Sequence, residues 1–125
     1  MTETSPQRVT ILEDDAYWTK NCIKALEGVG VNAVQQDPSL DLLKKEEVKH
    51  NLFVLRANND QSKRFDLVKQ ISEYGGMSLV IATSRDTAWE IRMKCLSLGR
   101  ASSIGPYGDW DFDKLIEVTK AILKL

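Results

Sequence analysis

A chain of 125 residues, 42% hydrophobic and 28% charged, is long enough to bury one core without disulfide or metal staples, which predicts a single domain over residues 1–125. The 17 Lys and Arg against 18 Asp and Glu leave a net charge of −1, so no field steers the chain toward nucleic acid or an anionic membrane. One histidine and two distant cysteines give zinc almost no ligands, and no apolar run approaches the length of a membrane span.

Arg8-Val9-Thr10-Ile11-Leu12 is short and β-branched and predicts a strand, with the acidic cluster Glu13-Asp14-Asp15 after it. Asp15 is placed to cap a helix running to Glu27, along which Trp18, Cys22, Ala25, Leu26 and Val29 repeat at helical spacing. Gly28-Val29-Gly30 stops that helix, and residues 31–35 form a second strand. Pro38-Ser39 opens a second helix carrying Leu40, Leu42, Leu43 and Val48, with Lys44-Lys45-Glu46-Glu47 as its solvated face. The continuous apolar run Leu52-Phe53-Val54-Leu55 fits a central parallel strand buried on both faces. A polar loop over 57–60 leads to a third helix marked by Phe65, Leu67, Val68 and Ile71, ending at Gly75-Gly76. A fourth strand follows over 77–83, then a fourth helix over 86–98 closed by Gly99, and a short fifth strand over 101–104. After the turn Gly105-Pro106, Asp109 or Asp111 caps a last helix with Phe112, Leu115, Ile116, Ile122 and Leu123. Cys22 and Cys95 fall inside apolar helical stretches and read as small core residues.

Strands alternating with helices at this spacing imply right-handed crossovers and a parallel sheet covered on both faces. Five such units predict an α/β, flavodoxin-like (βα)5 fold with strand order 2-1-3-4-5. Ligands of such sheets bind at the carboxyl ends of the strands, so the residues there decide function. They are Glu13, Asp14 and Asp15 after strand 1, Arg56 after strand 3, Thr83-Ser84 after strand 4 and Gly105-Pro106 after strand 5.

In order and spacing these segments resemble response-regulator receiver domains over nearly the whole chain. Ile11-Leu12-Glu13-Asp14-Asp15 looks like the family's acidic pair, and Asn51-Leu52-Phe53-Val54-Leu55-Arg56 like the strand whose last residue is its phosphoacceptor aspartate. Val80-Ile81-Ala82-Thr83-Ser84 looks like the strand with the phosphoryl-sensing hydroxyl, here Thr83, and Gly105-Pro106-Tyr107 stands where the family usually has Lys-Pro-Phe. The resemblance implies a chemistry of two carboxylates holding Mg²⁺, a third as nucleophile, and a lysine and a hydroxyl on the phosphoryl oxygens. Here Arg56 replaces the nucleophile, Gly105 replaces the lysine, and Ser102 stands where an aromatic switch residue is common. The expectation is a pseudo-receiver with no catalytic residue, cofactor or metal.

Two placements of Arg56 stay open: inward, neutralising Glu13, Asp14 and Asp15 and excluding a metal, or outward into solvent. The inward pairing is favoured because clustered carboxylates repel one another unless compensated. Asp60 reads as a solvated loop residue and not as a displaced phosphoacceptor. Nothing flanking Ser84 or Ser103 marks a kinase site. Trp89, Tyr107 and Trp110 lie near the helix 4, strand 5 and helix 5 face through which receivers commonly dimerise or dock, and read equally as interface anchors or as caps on the core.

The resemblance thus implies a cytoplasmic, non-enzymatic regulatory module acting by contact with a protein partner or a second copy. It is expected to be the N-terminal domain of a bacterial transcription regulator, with DNA met only through a domain absent here and no membrane involvement. Leu125 falls within helical pattern, as expected of an excised domain. The alternatives are a stand-alone adaptor, or a small-ligand sensor using the strand-end cleft that a missing lysine leaves at Gly105.

Overall fold

The computed structural model describes residues 8–57, 62–83, 85–105 and 112–124. Five parallel strands, β1 (Arg8–Leu12), β2 (Ala33–Gln36), β3 (Asn51–Ala57), β4 (Met77–Ala82) and β5 (Ala101–Ile104), form one sheet in the order β2-β1-β3-β4-β5. Between them run α1 (Ala16–Glu27), a 3-10 turn (Leu40–Leu42), a one-turn α2 (Lys45–Val48), α3 (Ser62–Glu73) and α4 (Arg85–Leu98), and α5 (Asp113–Leu123) follows β5. This is the doubly wound arrangement expected from the alternation of elements.

The period of two along each strand sorts the core into two layers. Val9, Ile11, Leu52, Val54, Leu79 and Ile81 pack on Trp18, Cys22 and Leu26 of α1 and Leu115 of α5. On the opposite face Leu12, Phe53, Leu55, Val80 and Ala82 meet Val48 of α2, Leu67, Val68 and Ile71 of α3, and Ile91 and Cys95 of α4. Both cysteines are buried and unbridged, and burial pushes their thiols up, Cys22 to about 12 and Cys95 to about 11. Neither supplies a thiolate at neutral pH.

Several boundaries differ from the sequence expectation for local reasons. Strand β2 starts two residues late because the Val31 amide donates to the Leu26 carbonyl, closing the end of α1, and Val29 lies beyond the Gly28 cap and is exposed. The second helix is broken: Leu43 and Lys44 are extended, so Leu43 turns into the core while Leu40 and Leu42 stay exposed. Spacings of two and three cannot place three leucines on one helical face. Gly76 is required by packing, since a Cβ there would lie 2.6 Å from Val48 Cγ1. Helix α5 begins after Phe112 as N-cap, in place of Asp109 or Asp111, which lie outside the described residues together with Asp60, Ser84, Tyr107 and Trp110.

Candidate functional site

Strands β1 and β3 are adjacent, and Ile11 pairs in register with Val54. Two residues further on, the same alternation carries Glu13 and Arg56 to the strand ends on the α1 side of the sheet. Arg56 is itself within β3, followed only by Ala57. Its guanidinium turns inward: Nε donates to Glu13 Oε2 at 3.3 Å and Nη2 donates to Asp15 Oδ2 at 3.1 Å. Its Cζ also lies over the Trp18 ring, 4.7 Å from the centroid. Of the two placements considered, the inward one is observed.

A second arginine, not singled out from the sequence, completes the site. Arg64, in the first turns of α3, reaches across from the opposite layer and donates through Nη1 to the Leu12 carbonyl at 2.9 Å. Its Nη2 lies 3.4 Å from both Glu13 Oε1 and Asp14 Oδ1. Glu13 is therefore gripped from both faces of the sheet. It is only 4% exposed, a position an ionised carboxylate tolerates only when paired and hydrogen-bonded. Its Oε1 also accepts the backbone amides of Asp14 and Asp15, at 3.1 and 3.2 Å. The Gln35 side chain, from β2, donates to the Glu13 carbonyl at 3.0 Å and so ties the turn to the sheet edge.

Asp15 has two tasks. Its Oδ1 accepts the Trp18 amide at 3.0 Å as the N-cap of α1, and its Oδ2 takes Arg56. The capping amide first, and the guanidinium after it, hold its carboxyl below the usual carboxylate range. Asp14 is more exposed, and its carboxyl is lowered too, first by its hydrogen bond with Glu13 and further by Arg64. Three carboxyl groups thus share two guanidiniums, whose positive charge is covalently fixed on β3 and α3. Both arginines hold the oxygens a metal ion would need. Among the described residues no cluster of three or more His, Cys, Asp or Glu side chains is placed to hold one.

The remaining strand-end positions are less engaged. Thr83 follows β4 with its side chain exposed, and its amide donates to the Ala57 carbonyl at 3.3 Å. Gly105 has φ +109°, and a Cβ there would lie 2.6 Å from the Ala82 carbonyl oxygen. Main chain fills the direction a side chain would take at Gly105. Ser102 on β5 is exposed.

Helix α4 carries two apolar stripes. Ile91 and Cys95 face the core, whereas Trp89 (67% exposed), Met93 (48%) and Leu96 (67%), spaced by four and three, form a second stripe open to solvent. Trp89 does not cap the core, contrary to one of its two expected roles. Met93 and Leu96 were not anticipated; the signal for them is a helix with more apolar residues than one buried face can take. No described helix is long and apolar enough to cross a membrane.

No family model and no curated protein matches this sequence. Among solved structures, the chain is similar to a response regulator from Thermotoga maritima, with TM-score 0.67 and 17% identity over 97% of this chain and 99% of that one. It is similar also to an orphan response regulator of H. pylori, with TM-score 0.66 and 19% identity over 96% of this chain and 98% of that one. At such identities the likeness is one of architecture, and it agrees with the strand order and the strand-end site: this chain has the fold of response-regulator receiver domains.

Proposed function

We propose that the chain is a receiver-type signalling module that works without phosphorylation, by protein–protein contact. The observation carrying this reading is the occupation of the strand-end acidic site by Arg56 and Arg64. Aspartyl phosphotransfer of the receiver kind needs a carboxylate at the end of β3, a cation to offset the incoming charge, and a lysine after β5. An arginine stands at the first position and a glycine pressed on Ala82 at the last. The cation is built in. On this reading no phosphoryl event switches the site, and regulation comes through abundance or binding, not through a phosphoryl-driven population shift.

The contact is assigned to the face of α4, β5 and α5, with Trp89 as anchor and Met93 and Leu96 beside it, and the partner is a second copy or another protein. Large aromatics at the centre of an interface carry most of its energy. The setting is the cytoplasm, in a bacterial transcription regulator whose DNA-binding part is a separate domain, or as a stand-alone adaptor.

Ultracentrifugation with and without Mg²⁺ and beryllium fluoride, a phosphoryl mimic, tests the reading. Association should be identical in the two conditions, and Trp89→Ala should weaken it by about thirtyfold, the effect of losing about 2 kcal/mol at an anchor. If the chain is monomeric, capture of protein partners by wild type and Trp89→Ala replaces self-association. Association that appears only with the mimic contradicts the proposal.

A further inference from the structure

In receivers of the usual kind a strand-end hydroxyl works together with an aromatic residue on the fifth strand. Here Ser102 offers no ring, and Thr83 is exposed. A different connection is built into the structure. The Arg56 guanidinium lies over Trp18 at 4.7 Å, and Trp18 meets Phe112 with ring centroids 6.0 Å apart and planes inclined at 47°. Trp18 is 5% exposed, so this contact is largely shielded from water, where a cation–π pair is strongest. Phe112 is the N-cap of α5 and gives it no side-chain cap. The start of α5 therefore depends on where the Phe112 ring packs, and that ring packs on the residue that Arg56 covers. Its first intrahelical bond, Ile116 amide to Phe112 carbonyl at 2.9 Å, reports the state of this turn.

We infer that the strand-end site is coupled to α5 through the stack Arg56–Trp18–Phe112, which takes the place of the hydroxyl–aromatic route. The input is any change in the pairing of Arg56 with Glu13 and Asp15; the output is the order of the first turn of α5, which borders the proposed contact face. As a regulatory device this rests on the reading given under Proposed function. The coupling itself does not, since it is measured inside one chain whether or not Trp89 anchors a partner.

Two arginines at one site supply the control, because Arg56 lies on Trp18 while Arg64 enters from the opposite layer. Hydrogen exchange by NMR on the whole chain reads the Ile116 amide, normalised to core amides of α3 to remove global destabilisation. Arg56→Ala, or Arg56→Gln where the alanine variant is too unstable, should speed exchange at Ile116 by roughly fivefold, the size of one shielded cation–π contact. Arg64→Ala, removing the same charge from the same site without touching the Trp18 stack, should leave it within about twofold. In a Trp18→Leu background, Arg56→Gln should have no further effect at Ile116. Equal responses to the Arg56 and Arg64 variants, an unmoved Ile116, or an Arg56 effect that persists without Trp18 would each overturn the inference.

Discussion

At the ends of β1 and β3 each of five clustered charges has an opposite partner, whereas the outer face of α4 leaves Trp89, Met93 and Leu96 open to water. The first region is closed by its own side chains; the second is unfinished. In doubly wound sheets the strand ends are where an external ligand would bind. This chain fills them with guanidinium and keeps the α4 face apolar. The difference teaches that one surface of a fold can be satisfied from within while another stays available for contact, and each region breaks in its own way.

The largest effect is expected from Glu13→Ala. It leaves Arg56 and Arg64 without their shared acceptor and strips the amides of Asp14 and Asp15, so urea unfolding should show a loss of about 3–5 kcal/mol, the range for breaking a buried pair. A loss below about 1 kcal/mol would class the site with solvent-screened surface pairs. The two stripes of α4 give a sharper contrast. Ile91→Ala, at a fully buried position, should cost about 2–5 kcal/mol, and Trp89→Ala, two residues away, should stay within about 0.5 kcal/mol while weakening association. Equal costs would make Trp89 a core residue.

Restoring a lysine at Gly105 should not rebuild the receiver site. Gly105→Lys meets both a positive φ and the Ala82 carbonyl, and strain of this kind is worth about 1–3 kcal/mol, visible as a lowered melting temperature. An unchanged melting temperature would show that the turn relaxes at no cost. The smallest effect concerns pH. The carboxyls of Asp14 and Asp15 are lowered in the folded chain, so their contribution is fully present above the unfolded carboxylate range and is lost as pH falls below about 4. Removing Arg56 and Arg64 together should make that acid limb shallower in urea titrations without abolishing it, since the Trp18 amide still holds Asp15.

Much of this was legible in the sequence, and the exceptions have physical reasons. The strand order follows from elements whose apolar periods alternate between two and helical spacing, and the Glu13–Arg56 pairing follows from strand parity once β1 and β3 are neighbours. Arg64 was hidden because its partner is reached across the sheet end from another layer, a relation no local spacing encodes. A three-carboxylate cluster facing one arginine is the only hint that a second cation is required. Residue spacing placed a full second helix where Leu43 and Lys44 are extended, because burial of Leu43 outweighed helix propensity over so short a stretch. At Gly105 the Ala82 main chain occupies the side-chain direction, a close approach that spacing along the chain does not encode. Of the three candidate aromatics, only Trp89 lies within the described residues, and its exposure could not be read from α4, where inner and outer positions are equally apolar.

Whether the two arginines leave any carboxylate able to take a phosphoryl group is directly measurable. Intact-mass spectrometry of the chain after incubation with Mg²⁺ and acetyl phosphate measures this in one step. An unchanged mass is predicted, since Arg56 offers no carboxylate at the end of β3 and the oxygens of Glu13 and Asp15 are held by guanidinium. A single phosphoryl adduct mapping to Asp14, Asp15 or Asp60 would contradict it.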